Sequence, residues 1–177
     1  MITMQTTNPL LLTLNIDTDA QQFFNDLRKQ YFPADRNFLD AHLMLFHQLP
    51  PHEPKIMEDI ETIVQKHQNI SLQVSGLSSI GNGVAYKIES GPLQQLHKQL
   101  QVLWAQWLIP QDKNKLWPHI TIQNKVKPDA AKALLNHLSA GFIPFAMQGT
   151  GLSLWEYQGG PWQFVQEFNF TGAANQI

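Results

Sequence analysis

Two short segments share one strand pattern, and this pattern constrains the fold more than any other feature of the sequence. One spans Trp117–Val126 and contains His-Ile-Thr-Ile-Gln; the other spans Ala41–Pro50 and contains His-Leu-Met-Leu-Phe. Alternation over this length is typical of a half-buried β-strand. Both segments are therefore predicted to be strands that begin near a histidine.

The strand period assigns the side chains of the 117–126 segment to two faces. Residues two apart share a face, so His119, Thr121 and Gln123 are predicted on one side, with Ile120 and Ile122 in the core. An imidazole and a hydroxyl on a rigid sheet suit phosphate chemistry. Taken alone, this segment is better explained as a solvent-facing strand that happens to carry these residues, because His-x-Thr is a weak pattern.

The 41–50 segment strengthens the functional interpretation. His42, Met44 and Phe46 are predicted on one face, opposite Leu43 and Leu45. The two histidines lie 77 positions apart, a little under half of the 177 residues. Two similar strands at this spacing indicate a duplicated unit that contributes one histidine from each half.

Each half is predicted to contain a histidine strand, a helix and a hairpin. Together they predict one α+β domain over residues 1–177, with two pseudo-symmetric lobes of antiparallel sheet, flanking helices and a central cleft. The predicted order is a strand at 9–16, a helix at 17–32, the first histidine strand, a helix at 53–67, a hairpin at 70–89, a helix from 91 to Pro110, the second histidine strand, a helix at 128–141 and a hairpin at 145–170. Gly172–Ile177 is predicted to be a loose tail.

Composition excludes several classes of site and partner. There are no cysteines, which excludes disulfides, thiol nucleophiles and Cys-ligated zinc. The net charge of −2 favours a small or single-stranded nucleotide ligand over duplex nucleic acid. No signal peptide or membrane span is evident, so we expect a cytoplasmic protein. A monomer is the expected oligomeric state. The seven histidines form no metal-ligand motif, and neither a metal nor a cofactor is expected.

The two motifs, His42-Leu43-Met44-Leu45 and His119-Ile120-Thr121-Ile122, resemble the paired His-x-Thr/Ser-hydrophobic motifs of the two-histidine (2H) phosphoesterase superfamily. The sequence is most similar to its bacterial 2′,5′ RNA ligase-like branch. Gly83–Ser90 and Gly159–Trp162 also resemble segments of that branch, in the same order. The resemblance extends over nearly the whole chain from Pro9 to Phe170.

This resemblance implies a bilobal fold and a metal-independent reaction on a nucleotide or RNA end. Typical substrates of the family are 2′,3′-cyclic phosphates or 2′,5′ linkages. The family pattern assigns catalysis to His42 and His119, as acid and base. It assigns phosphate binding to the hydroxyl two residues after each histidine, a role that Thr121 fits and Met44 does not.

Met44 is the one clear departure from the family pattern. A thioether donates no hydrogen bond, and a charge-assisted hydrogen bond is worth roughly 1.5–3 kcal/mol. The sequence therefore leaves three functions open: a weakened phosphoesterase, a protein that binds a nucleotide or RNA phosphate without turnover, and an RNA 2′,5′ ligase. Lys87 or Arg36 could compensate for the missing hydroxyl.

Other aromatic residues and histidines have structural interpretations. Phe46, Trp155, Tyr157 and Trp162 could stack on a base, although core packing is the more common role of such residues. Phe46 is the strongest stacking candidate because it follows His42 on the predicted face. We predict that His47 is packed or at an edge, and that His67, His97 and His137 are surface or capping residues.

Overall fold

The computed structural model describes residues 6–172, which form one seven-stranded antiparallel sheet and four α-helices. The predicted loose tail lies outside the described residues, except for Gly172, whose N–H donates to the carbonyl of His67 at 2.8 Å. The elements are β1 (Leu10–Ile16), α1 (Thr18–Tyr31), β2 (Leu43–Leu49), α2 (Pro54–Gln65), β3 (Ile70–Ser79), β4 (Val84–Glu89), α3 (Gly91–Leu103), β5 (His119–Gln123), α4 (Pro128–Ala140), β6 (Phe145–Tyr157) and β7 (Trp162–Asn169), with short 3₁₀ turns at Ala34–Arg36 and Pro110–Lys113.

Capping residues in the sequence start the helices. The Asp17 carboxylate accepts the N–H of Ala20 at the start of α1, and the Ser90 hydroxyl accepts the N–H of Leu93 at the start of α3. Helices α2, α3 and α4 have proline in the first turn, where the missing N–H has no helical partner to lose.

Helix α3 is shorter than predicted. It ends at Leu103 rather than Pro110, and the Leu103 side chain is 45% exposed. The chain leaves the helix at Trp104, which is fully buried and donates its indole N–H to the Asp59 carboxylate at 2.9 Å. The next residues then return through the 3₁₀ turn towards β5.

The sheet folds back on itself through the long strand β6. Its first part, Phe145–Gly149, pairs with β3, and its second part, Gly149–Glu156, pairs with β1. The remaining pairings, β1–β2, β2–β5, β5–β4 and β4–β3, complete a closed circuit of six strands, with β7 added beside β6. The sheet therefore consists of two four-stranded lobes that share β6. Their strand orders are β7-β6-β1-β2 and β6-β3-β4-β5.

The α+β prediction, with an antiparallel sheet and flanking helices, is confirmed. The lobes, however, do not coincide with the two halves of the sequence. The β3–β4 hairpin of the first half pairs with β5 of the second half, while β6 and β7 of the second half join β1 and β2. Each histidine strand thus lies in a lobe completed by the other half of the chain.

Helices cover both lobes, and the core lies between them and the sheet. Helices α1 and α4 pack on the β3-β4-β5 side, where Phe24 of α1 meets Tyr86 of β4 edge to face. Helix α2 packs against β6 and β7, and α3 contacts β2 through the stacked rings of His97 and Phe46. Among residues 6–172, no helix has the length and apolar character needed to cross a bilayer.

Gly83 provides a test of how closely β4 and β5 approach. A Cβ at this position would lie 1.8 Å from the carbonyl oxygen of Gln123, and backbone atoms cannot move aside cheaply. We expect Gly83→Ala to cost about 3 kcal/mol or more of unfolding free energy and to lower Tm by roughly 6–12 °C. Gly91→Ala, where a Cβ meets nothing within 4 Å, is the matched control. Equal melting temperatures for the two variants would contradict this account.

Candidate active site

The two histidine strands meet at one antiparallel pair, Leu43 opposite Ile120. Extending this register by one residue in each direction sets His42 across from Thr121 and Met44 across from His119. Diagonal neighbours on adjacent strands lie roughly 7–8 Å apart, so the two imidazoles can approach a phosphate from either side. All four side chains are partly exposed on this face.

The strands on either side, β4 and β1, extend this surface. Ala85 of β4 pairs with Thr121, and Lys87 pairs with His119. On the other side, Thr13 of β1 pairs with Met44. Lys87 is exposed, and its side chain passes over Gly76, where an added Cβ would lie 3.2 Å from the lysine Cε. His119 is therefore flanked by Met44 on one side and by a lysine on the other.

Each histidine strand has a register shift three residues after its histidine. In β2, Leu12 pairs with Phe46 but Thr13 pairs with Met44, so Leu45 is the extra residue. In β5, Val84 pairs with Gln123 but Ala85 pairs with Thr121, so Ile122 is the extra residue. A bulge of this kind interrupts the alternation of side chains.

The predictions for Phe46 and Gln123 are wrong for this reason. Strict alternation places both on the histidine face, but after the bulges Phe46 is 0% and Gln123 is 6% exposed. Phe46 packs between His97 and Trp104 and is inaccessible to a base. The bulges thus limit the functional face of each strand to two positions, the histidine and the residue two further on.

Both imidazoles are held by the same local hydrogen bond. His42 Nδ1 lies 2.9 Å from the carbonyl oxygen of Asp40, and His119 Nδ1 lies 2.7 Å from that of Trp117. A carbonyl oxygen only accepts, so Nδ1 carries the proton in each ring and donates it. Nε2 of the neutral ring is then left as a free proton acceptor.

A tryptophan supports each imidazole. The indole of Trp162 lies 4.6 Å from the ring of His42, and that of Trp117 is stacked at 4.1 Å on the ring of His119. Trp162 comes from β7 and Trp117 from the segment before β5. These contacts and the hydrogen bonds restrict rotation of both rings, which is what acid–base catalysis requires of its groups.

The environment favours the neutral form of both imidazoles. Burial lowers the pKa of His42 to about 4; the bond to the Asp40 carbonyl acts in the opposite direction, and the charges of Arg28 and His119 lower the pKa further. Burial also lowers the pKa of His119 from its ordinary value. The influence of His119 on His42 agrees with their positions on adjacent strands.

Arg28 of α1 is part of this environment and was not identified from the sequence. Only 3% of it is exposed, and Nη1 donates to the carbonyl of Thr121 at 3.0 Å while Nε donates to the Asn37 side chain. The guanidinium also lies over the ring of Phe32, and burial lowers its pKa to about 10. In the sequence, Arg28 appears as an ordinary basic residue in the last turn of a helix.

A cavity of about 420 Å³ opens beside His42. Trp155 and Trp162 form an aromatic wall, and Asn15 and Gln21 contribute amide groups. This combination of ring faces and a few polar groups is suited to a planar heterocycle. Core packing, the alternative for the two tryptophans, does not describe them, since both are only half-buried.

Three other histidines have structural contacts. His97 is buried, contrary to the prediction: its ring stacks on Phe46, and its Nε2 bonds to the carbonyl of Leu45 at 3.0 Å. His47 is a partly exposed edge residue, and its Nδ1 lies 2.8 Å from the buried Asp112 carboxylate. His67 bonds to the carbonyl of Ile63 one helical turn earlier. In the part of the chain that is described, no group of three or more His, Asp or Glu residues is arranged to hold a metal ion.

Comparison with known families identifies the relationship. The model of the 2'-5' RNA ligase superfamily matches residues 16–161, which include both histidine strands. The chain belongs to the 2'-5' RNA ligase superfamily. The resemblance inferred from the two motifs, to the two-histidine phosphoesterases, is thereby confirmed. No curated protein matches the sequence.

Several solved structures share the fold of this chain at low sequence identity. TT0787 of Thermus thermophilus is 13% identical with a TM-score of 0.67, covering 94% of this chain and 100% of its own. Escherichia coli LigT complexed with 3'-AMP is 15% identical with a TM-score of 0.59, covering 94% and 99%. LigT has also been solved with NADP+ and with phosphate.

The lowered pKa of His42 predicts a pH-dependent stability in this superfamily member. Unfolded His42 titrates near ~6.5, so between this pH and about 4 the unfolded state binds more protons than the folded state. We expect the free energy of unfolding to fall as the pH is lowered from 7 to 4.5, and to fall less in His42→Asn. Urea unfolding at both pH values measures this.

The matched control is His137→Asn, which alters an exposed histidine on α4. It should retain the pH dependence of the wild type. If His42→Asn loses as much stability as the wild type on acidification, the proposed environment of His42 is wrong.

Proposed function

We propose that this protein is a metal-independent phosphoesterase that acts on 2′,3′-cyclic phosphates or 2′,5′ linkages of nucleotides and RNA ends. The observation that carries the proposal is the pair of fixed imidazoles on adjacent strands, each with Nδ1 bonded to a carbonyl and Nε2 free. Two such groups provide an acid and a base without a metal, and positioned acid–base catalysis contributes about 10²–10⁴-fold.

In the active form one imidazole is neutral and the other carries an additional proton on Nε2. Burial and the nearby Arg28 act against a charge on His42, so the proton is assigned to His119 and His42 is the base. His42 Nε2 takes a proton from water as the water oxygen bonds to phosphorus. The bond from phosphorus to one ribose oxygen breaks, and that oxygen takes the proton from His119 Nε2. The product is a phosphomonoester.

The Thr121 hydroxyl, opposite His42, is assigned to a non-bridging phosphate oxygen. At the equivalent position in the first lobe, Met44 offers no donor. Lys87 is exposed on the same face, beside His119, and its ammonium lies over Gly76 of β3, on the side away from His119. We propose that this flexible side chain turns towards a bound phosphate and supplies the missing contact. Arg36, the other candidate, is exposed in the 3₁₀ turn, with Asp35 as its partner at 3.8 Å.

The cavity beside His42 is assigned to the nucleobase. Its indole walls provide stacking surfaces, and base–aromatic stacking is worth roughly 1–3 kcal/mol per base. The LigT complexes with 3'-AMP and ATP support a nucleotide as the ligand of this chain as well.

Two alternative functions would use the same site but give a different result from hydrolysis. Met44 favours a protein that binds a nucleotide or RNA phosphate without turnover, because one phosphate contact of the family pattern is absent. An RNA 2′,5′ ligase would use the same imidazoles in the opposite direction, since hydrolysis and ligation of this bond are two directions of one equilibrium.

Hydrolysis of 2′,3′-cyclic nucleotides in excess chelator tests the proposal. We expect His42→Ala and His119→Ala each to lower kcat by about 10²–10⁴-fold. Met44→Thr should raise kcat/KM by roughly ten- to a hundredfold, the equivalent of a charge-assisted hydrogen bond. Lys87→Met should then cost less in the Met44→Thr background than in the wild type.

The control variant is His137→Ala, which should retain wild-type turnover. Full activity in either active-site histidine variant would refute the mechanism. Nucleotide binding without product in the wild type, together with turnover in Met44→Thr, would establish the binding alternative. Product joined through a 2′,5′ bond from suitable RNA ends would establish the ligase.

The lowered pKa values predict an acidic optimum for kcat/KM. The active form has one neutral and one protonated imidazole, and in the free enzyme both groups titrate below their ordinary value of about 6.5. We expect kcat/KM to peak between about pH 4 and 6.5 and to fall tenfold per unit above that range. A peak at pH 7.5 or higher in the pH–rate profile would contradict this assignment.

A further inference from the structure

A basic groove leads away from the His119 side of the proposed active site. It consists of two adjoining cavities, of about 480 and 630 Å³. The first begins at Lys87, which pairs with His119, and passes Trp117, which stacks on His119. The second lies between α3 and the segment that follows the 3₁₀ turn at Pro110–Lys113.

The two cavities are continuous. Gln94, Lys115 and Leu116 line both of them. The Gln94 side chain donates to the carbonyl of Leu116 at 2.9 Å, which ties α3 to the segment before β5. The floor of the groove is therefore held by a defined contact between two elements.

Lysines dominate the charge of this groove. Lys87, Lys98, Lys113 and Lys115 line it and are exposed, whereas Glu89 is the one carboxylate in its lining. Asp112 is adjacent in sequence, but its carboxylate is buried and accepts the backbone N–H groups of His47 and Gln48. The chain as a whole has a net charge of −2, so this basic surface is local.

Trp117 lies where the groove meets His119. It is 46% exposed although it stacks on His119, so part of its ring remains open to a second planar group. An aromatic face beside several exposed lysines is the combination that single-strand binding proteins use, with stacking for bases and cations for the backbone.

From this arrangement we propose that the groove of Lys87, Lys98, Lys113 and Lys115 binds the phosphates of single-stranded RNA that extends from the reacting linkage. The natural substrate is then an oligonucleotide, and a mononucleotide uses only part of the site. The proposal rests on the proposed function for the identity of the reacting group. Binding of the strand itself is a separate property and is measured separately.

The test compares a five-nucleotide RNA ending in a 2′,3′-cyclic phosphate with the 2′,3′-cyclic mononucleotide of the same base. The first readout is binding of the fluorescent pentamer by anisotropy between about 50 and 200 mM salt. Single-strand binding loses roughly 0.7 in log K per log unit of salt for each neutralised phosphate. We expect a slope of about −2.1 in the wild type, for the three phosphates at Lys98, Lys113 and Lys115, and about −0.7 in Lys98→Glu/Lys113→Glu, where one of the three contacts remains.

The second readout is the ratio of kcat/KM for the pentamer to that for the mononucleotide. We expect this ratio to exceed one in the wild type and to fall by roughly tenfold in the double variant, in keeping with the loss of two phosphate contacts. The matched control is Lys29→Glu/Lys132→Glu, which makes the same charge change at exposed positions on α1 and α4. It should change neither the slope nor the ratio.

The outcomes separate this proposal from the proposed function. Failure to turn over either substrate, with lysine-dependent binding of the pentamer, would refute the reaction and support the groove. Turnover of both substrates with equal kcat/KM, and a salt slope unchanged in Lys98→Glu/Lys113→Glu, would refute the groove and leave the reaction standing. Equal binding of duplex RNA or of a polyglutamate peptide would overturn the assignment to single-stranded RNA.

Discussion

The proposed site depends on the antiparallel contact between β2 and β5 at Leu43 and Ile120. This contact is short, and each strand is held more extensively on its other side, by β1 and β4. Closure of the sheet through β6, which pairs with both β3 and β1, keeps the two lobes in register. The two imidazoles therefore owe their proximity to the whole circuit of strands rather than to any direct bond between them.

The same arrangement controls the chemistry of the imidazoles. Each bulge ends the polar face two residues after its histidine, so the functional surface is small and surrounded by core. Burial then lowers the pKa of both histidines, and Arg28 adds a positive charge from behind Thr121. A site with two neutral imidazoles beside a buried guanidinium is suited to an anion, because a bound phosphate would stabilise the proton that one imidazole needs.

Several features of the site were not predictable from local sequence patterns. Strict alternation misplaced Phe46 and Gln123, because a bulge depends on the partner strand and leaves no local signal. The helical position of His97 predicts a surface residue, yet the carbonyl of Leu45, 52 residues away in sequence, provides its hydrogen bond. Arg28 was missed since its carbonyl partner, Thr121, is 93 residues away. In each case a long-range contact decided the environment.

The sequence by itself determined the two histidine strands, the order of elements and the family, because alternation, caps, prolines and turn glycines act over a few residues. It also identified Met44 as the departure from the family pattern. Only the tertiary structure decided that each lobe combines strands from both halves, and that Met44 and Lys87 flank His119 while Trp162 covers His42. These relations depend on strand pairing and register, which are set by the packing of the whole sheet and not by any local stretch of residues.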